Sequence, residues 1–381
     1  MEDVAIIGVG LHPFGRFPGK SAFDMGADAV RAALHDAGVT WNDIQIAFGG
    51  SIEASNSDAI VNRVGLTGVP FHNVNNGCAT AATALSMTAN AIRYGQADIG
   101  IAVGMDKHPA GAFTGDPEEL ALPKWYAESG YYLTTLFFAM KINRYMHEFD
   151  IAPRTLAKVA AKNYRNGSLN PNAFRRKPLT EDQILESPML NYPLTQYMYC
   201  APDEGAAAAI LCRADRAHEF TPTPIYLRAS ALKTRRLGAF EVHSPSMPVE
   251  RIDGPTVDAS RAAYEMAGIG PEDVDVAQIQ DTEAGAEVIH MAENGFCKDG
   301  EQNLLLETGA TEITGSIPIN TDGGLIANGE PVGASGLRQV YELVNQLRGT
   351  AGDRQVPNEP RVGYAQLYGA PGVSGVSILT R

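Results

Sequence analysis

The chain has 381 residues, 44% of them apolar and 19% charged, an ordinary globular composition with enough length for two domains. A formal charge of −14 argues against nucleic acid, whose phosphates require a basic surface, although the runs Arg175-Arg176-Lys177 and Lys233-Thr234-Arg235-Arg236 could form a local anion patch. No stretch approaches the roughly 18 uninterrupted apolar residues of a membrane span, and Cys78, Cys200, Cys212 and Cys297 form neither a C-x-x-C pair nor a zinc-spaced cluster.

The opening Met1-Glu2-Asp3 places acid before a short apolar run, the reverse of a secretory signal, so a first strand and a cytoplasmic location are expected. Gly8-x-Gly10 lacks the third glycine of a dinucleotide fingerprint, because Pro13 stands in its place. Residues 31–47 read RAALHDAGVTWNDIQIA. They predict an Ala-rich amphipathic helix, a left-handed stop at Gly38, a short turn and a strand. Residues 261–277 read RAAYEMAGIGPEDVDVA, the same grammar at a constant offset of 230 (261 minus 31) with no gap. Identities at Arg31/Arg261, Ala37/Ala267, Gly38/Gly268, Asp43/Asp273 and Ala47/Ala277 point to an internal duplication.

Next comes Asn75-Asn76-Gly77-Cys78-Ala79-Thr80, directly before a helix predicted over residues 79–93 and a strand over 98–104. A thiol there meets the positive end of the helix dipole and is expected to ionise, with the same N–H groups available to an oxyanion. An inert buried cysteine is the alternative. Residues 107–201 break the pattern: they are polar, rich in aromatics and prolines, and carry an amphipathic stretch over 131–149. They form an expected insertion, serving either substrate contacts or packing. Tyr197-Met198-Tyr199 and the run from Ser244 to Val249 are expected in the core or in a pocket wall. A closing strand over 205–211 ends the first half.

The second half repeats the order. A glycine-dense run over 320–336 opens a helix over 336–347, and strands follow over 361–367 and 373–379. Strand–helix alternation in both halves predicts an α/β fold. No G-x-S-x-G elbow occurs, and the eight histidines lack metal spacing, so no metal is expected.

Three segments together resemble the thiolase superfamily. Asn75 to Thr80 is similar to its nucleophile motif N-x-x-C-A-[ST], residues 320–336 to N-x-x-G-G-x-x-x-x-G-H-P-x-G-A-[ST]-G, and Tyr368-Gly369-Ala370-Pro371-Gly372 to its C-terminal glycine loop. The wording is closest to the sterol-carrier-protein and lipid-transfer branch. That branch includes bacterial members that pair with a small zinc-ribbon/OB-fold protein, such as benzoylsuccinyl-CoA thiolase and steroid side-chain aldolases. The resemblance implies a duplicated five-layered αβαβα fold with an inserted loop domain. The N-terminal half would span 1–225, with the insertion at about 107–201, and the C-terminal half 226–381. It also implies a homodimer core and an acyl-CoA substrate, with coenzyme A as co-substrate and no permanently bound cofactor.

By the same resemblance Cys78 is the nucleophile. Two departures stand out: Glu330 replaces the usual His, and the branch motif H-D-C-F reads Gln280-Asp281-Thr282-Glu283, without its second acid–base Cys. Glu330 would then need a raised pKa to act as both base and acid. Backbone N–H groups of Cys78 and Gly369 would form an oxyanion hole. Asp281, Glu283, Tyr364 and Tyr368 are candidates for further proton transfer, and Arg175, Arg176, Lys177, Gly333, Ala334 and Ser335 for coenzyme contacts. The expected activity is degradative C-acyl transfer on a bulky or branched 3-oxoacyl-CoA. Retro-aldol cleavage of a 3-hydroxyacyl-CoA and a non-catalytic acyl-CoA-binding subunit are the alternatives.

Overall fold

The computed structural model describes residues 4–381 except 55, 114, 115, 117, 119–121, 131, 132, 242, 243, 246–251 and 371. The run from Ser244 to Val249 and Pro371 of the glycine loop therefore fall largely or wholly outside the described residues.

The repeat read from the sequence is a repeat of structure. Helix α1 (Ala22–Ala37) stops at Gly38 with φ +65°, a 3₁₀ turn covers Trp41–Asp43, and strand β2 (Ile46–Gly50) follows. In the second half a helix over Pro255–Ala267 stops at Gly268 with φ +69°, a 3₁₀ turn covers Pro271–Asp273, and a strand runs over Val276–Ile279. The helix stops, the turns and the strand starts keep the offset of 230.

The remaining principal strands are β1 (Val4–Gly15), β3 (Phe71–Asn73), β4 (Ile99–Lys107), β5 (Glu204–Arg213), β6 (Ile225–Thr234), β7 (Val276–Ile279), β8 (Val362–Gly369) and β9 (Val373–Thr380). They hydrogen-bond in the order β7-β8-β9-β6-β1-β5-β4-β2-β3. The two halves have one topology. β1-β5-β4-β2 and β6-β9-β8-β7 are each antiparallel, antiparallel, then parallel, and among the described residues they pair with each other at Ala5/Tyr226 and Ile6/Ile225.

Alternate strand residues face opposite layers, as the two-residue period of a strand requires. Ala5, Ile7, Ile101, Val103, Ala206 and Ala208 pack on α1. Val4, Ile6, Ala102 and Ala207, with Val276, Ala365 and Leu379 from the other half-sheet, enclose helices α2 (Thr80–Arg93) and α8 (Ser335–Arg348). On the far side Ala277, Ile279, Tyr364 and Ile378 pack against α5 (Pro255–Ala267) and α6 (Ala284–Glu293). Helix, sheet, helix pair, sheet, helix: these are the five layers expected.

Within residues 107–201 the polar stretch forms α3 (Thr134–Phe149) and α4 (Pro153–Ser168). Lys162 on α4 makes a buried ion pair with Glu287 on α6 and also donates to the Ile319 carbonyl at 3.0 Å. This stretch is thus bonded to the second half of the chain. No helix among the described residues is long and apolar enough to cross a membrane.

Candidate active site

Cys78 precedes α2, and the turn that carries it is closed by its own sequence. Ala79 N–H donates to Asn76 O at 3.1 Å and Thr80 N–H to Gly77 O at 3.0 Å, while Thr80 Oγ1 donates to Gly77 O and accepts from Asn76 N–H. The nucleophile turn also packs against the end of β8, where a Cβ on Gly369 would lie 2.6 Å from Asn76 O. Only glycine allows that approach. Ala370, next in chain, directs its N–H to the Cys78 sulfur, as does Cys78's own amide.

Glu330 arrives from the glycine-rich run. Gly329 before it has φ +91°, and a Cβ there would overlap the Asp203 carboxylate, so the turn requires glycine. After it, Gly333 N–H donates to Asp106 Oδ2 at 2.5 Å and Val332 N–H to His108 Nε2 at 3.2 Å. Asp106 also accepts from Ser51 Oγ and from the N–H groups of Ile52 and Glu53. The loop is held from the β4 side.

Fully buried, the Glu330 carboxylate receives the Cys78 thiol and, at 3.3 Å, the Cys200 thiol. Gln280 Nε2 approaches its Oε1 at 3.5 Å and donates to Thr282 Oγ1 at 2.8 Å, while the side-chain Oε1 of Gln280 accepts Tyr368 N–H. Cys200 is placed by its backbone: its N–H donates to Thr282 O at 2.9 Å, and Ala201 O accepts Glu330 N–H at 2.9 Å. One carboxylate therefore joins two thiols.

Burial sets the electrostatics. It pushes the Glu330 carboxyl above the usual range, against the pull of both thiols, His108 and Arg338. Burial and then the Glu330 charge push the Cys78 thiol well up, outweighing the Ala370 and Cys78 amides. This corrects the expectation of a resting thiolate. Cys78 stands two residues before the helix, the nearest helical N–H groups are spent on Asn76 and Gly77, and the facing carboxylate favours a proton on sulfur.

The other expected residues are distributed as follows. Asp281 accepts from Leu325 and Ile326 N–H, at the start of a short helix α7 (Gly324–Asn328), and from Asn163 Nδ2, so its carboxylate caps that helix. Glu283 caps α6, and burial pushes it up to about 8. The Tyr368 hydroxyl is committed to Glu241, with the Lys141 ammonium 4.9 Å above its ring. Tyr364 bonds Ser260 and Asn294 in the outer helical layer. Gly369 pairs with Val373 in the ladder, so the amide that reaches the sulfur is Ala370's, a shift of one residue from the expected oxyanion donor.

Gly333, Ala334 and Ser335 are buried, with Gly333 and Ala334 packed against Gly104 and Gly333 against Gly50, so they support the Glu330 loop. Arg175 donates to Tyr164 Oη and to the Tyr199 and Ile326 carbonyls, whereas Arg176 and Lys177 are exposed beside it. A cavity of about 760 Å³ opens there, walled by residues that include Phe113, Leu133, Phe138, Phe174, Arg175, Cys200 and Thr282.

Sequence reasoning missed Cys200, Gln280 as a partner of Glu330, and the Asp106/His108 support. The motif-like stretch Cys200-Ala201-Pro202 before strand β5 was the available signal for the first. Among the described residues no group of three metal-binding side chains occurs.

A family model described as thiolase N-terminal domain matches residues 4–177, and one described as thiolase C-terminal domain-like matches residues 247–381. The chain is 36% identical to an acetyl-CoA acetyltransferase of Methanothermobacter thermautotrophicus over the whole of both chains. The chain belongs to the thiolase family. It is also 32% identical to sterol carrier protein 2 of Gallus gallus, over 99% of this chain and 71% of that one. Two solved structures share the thiolase fold. The Ltp2-ChsH2(DUF35) aldolase has a TM-score of 0.88 at 22% identity, covering 100% of this chain and 98% of that one. Human mitochondrial 3-ketoacyl-CoA thiolase has a TM-score of 0.74 at 17% identity, with the same coverage.

Proposed function

We propose that the protein is a degradative coenzyme A-dependent acyltransferase acting on a bulky or branched 3-oxoacyl-CoA, with Cys78 as the covalent nucleophile. The observation that carries this reading is the contact between the Cys78 thiol and a buried carboxylate whose affinity for protons is raised. Glu330 takes the thiol proton as the sulfur bonds to the ketone carbon, so no standing thiolate is needed. The amides of Cys78 and Ala370 converge on the sulfur, which supports a role for them in receiving the oxyanion that forms beside it. Cleavage of the Cα–Cβ bond leaves the acyl group on Cys78, and coenzyme A then carries it away.

The size and apolar wall of the cavity favour a large acyl group, aromatic ones such as that of benzoylsuccinyl-CoA included. Arg176 and Lys177, exposed and next in chain to the cavity residue Arg175, suit the phosphates of the coenzyme. A homodimer core and a small zinc-ribbon/OB-fold partner complete the proposal; the aldolase of similar fold is an assembly of two named proteins. Incubation with an acyl-CoA followed by peptide mass spectrometry should place an acyl group on Cys78, and full turnover by Cys78→Ala would end the reading.

One observation favours the retro-aldol alternative: the protonated Cys78 thiol, since that reaction needs no nucleophile. Dependence on added coenzyme A separates the two. Cleavage of a 3-hydroxyacyl-CoA to an aldehyde or ketone without it would select the aldolase.

A further inference from the structure

Cys200 has no part in the steps above, yet the geometry gives it a place in them. Among the described residues its side chain is the one that both belongs to a residue walling the 760 Å³ cavity and hydrogen-bonds the Glu330 carboxylate. Glu330 itself is fully buried and contributes no wall to that cavity. A proton held on Glu330 therefore reaches a molecule in the cavity through the Cys200 sulfur, 3.3 Å away. The sulfur is fixed for this, because the backbone on either side of it is bonded to Thr282 and to Glu330.

We propose that Cys200 is the second catalytic acid–base group of the site, touching substrate at the α-carbon. The assignment rests on the acyl-transfer reading. Glu330 receives the Cys78 proton as the S–C bond forms. The Cα–Cβ bond then breaks, and its electron pair stays on the α-carbon of the departing thioester enolate. That carbon takes the proton from Cys200, and the Cys200 thiolate takes the proton stored on Glu330. In the second half, coenzyme A gives its thiol proton to Glu330 and its sulfur attacks the acyl carbon. Cys78 leaves as thiolate and recovers that proton. All three groups return to their starting states.

The test uses the full chain with acetyl-CoA as probe in D₂O. Exchange of the acetyl α-hydrogens and acetylation of Cys78 are both followed by mass spectrometry. For Cys200→Ala, and for Cys200→Ser, which keeps a donor to Glu330 but is a far weaker acid, acetylated Cys78 should persist. α-Hydrogen exchange should fall at least about 100-fold. Exchange within threefold of wild type in Cys200→Ser, with Cys78 still acetylated, would overturn the role of Cys200 alone. If wild type forms no Cys78 adduct, the acyl-transfer reading fails and this assignment falls with it.

Discussion

Replacing Glu330 by Gln should move two properties of Cys78 in opposite directions. In the wild type the thiol is pushed well up by burial and by the Glu330 charge, which it contacts directly. A carboxylate and a thiolate about 4 Å apart repel by about 4 kcal/mol at an effective dielectric near 20, so removing the charge multiplies the thiolate population by about a thousand. A less basic thiolate is a weaker nucleophile, with a Brønsted exponent of about 0.45, which leaves a net gain of about 40-fold in reactivity. Alkylation by iodoacetamide at pH 7, read at the Cys78 peptide by mass spectrometry, should therefore accelerate by tens of fold in Glu330→Gln. Turnover should fall by about 100-fold or more, because the amide cannot accept the thiol proton. Wild-type turnover should decline as pH falls through the raised Glu330 pKa, since the base must be ionised. That acidic limb should vanish in the variant. Unchanged or slower alkylation together with retained turnover would refute the coupling between Glu330 and Cys78.

Four further outcomes follow from the same structure. Gly104→Ala places a Cβ 1.9 Å from the Gly333 carbonyl oxygen, where backbone meets backbone, so thermal melting should show a loss of about 1–3 kcal/mol with reduced turnover. An unaltered melting curve would contradict the packing. Lys162→Met strands the buried Glu287 carboxylate, and chemical denaturation at pH 7 should register a loss of about 3–5 kcal/mol. For Glu283, a carboxyl pushed up to about 8 from 4.5, the folded chain holds a proton that the unfolded chain releases earlier. The stability tied to that proton is present below about 4.5 and lost as pH rises through about 8. Glu283→Gln should therefore gain on wild type by as much as about 4 kcal/mol between pH 5 and pH 9, and parallel denaturation profiles would remove the argument. Arg176→Glu with Lys177→Glu should raise KM for coenzyme A several-fold and leave kcat and melting temperature in place; equal KM at low and high salt would exclude a role for this exposed pair.

Much of the architecture was legible because it is written locally. An amphipathic helix with glycine at its left-handed stop, a turn and an alternating strand are sequence-adjacent features, and their recurrence at a fixed offset identified two copies of one unit. Cys78 was legible for the same reason, as a residue set just before a helix. Its protonation was not. Local sequence places a dipole beside the thiol, but the closing of Glu330 and the surrounding layers over it reverses the balance, and that cost is paid by desolvation across the whole fold.

Sequence by itself determined the duplicated α/β units, the cysteine turn and the glycine-rich approach of Glu330, since hydrophobic period and backbone preference act over a few residues. Tertiary structure alone decided that Cys200, 130 residues from Glu330, shares its carboxylate. It also decided that Gln280 and the Asp106/His108 pair hold that loop, and that Gly333 to Ser335 are buried. Such contacts arise from chain segments brought together by the burial of three separate apolar cores, and no short window of residues encodes which side chains then meet.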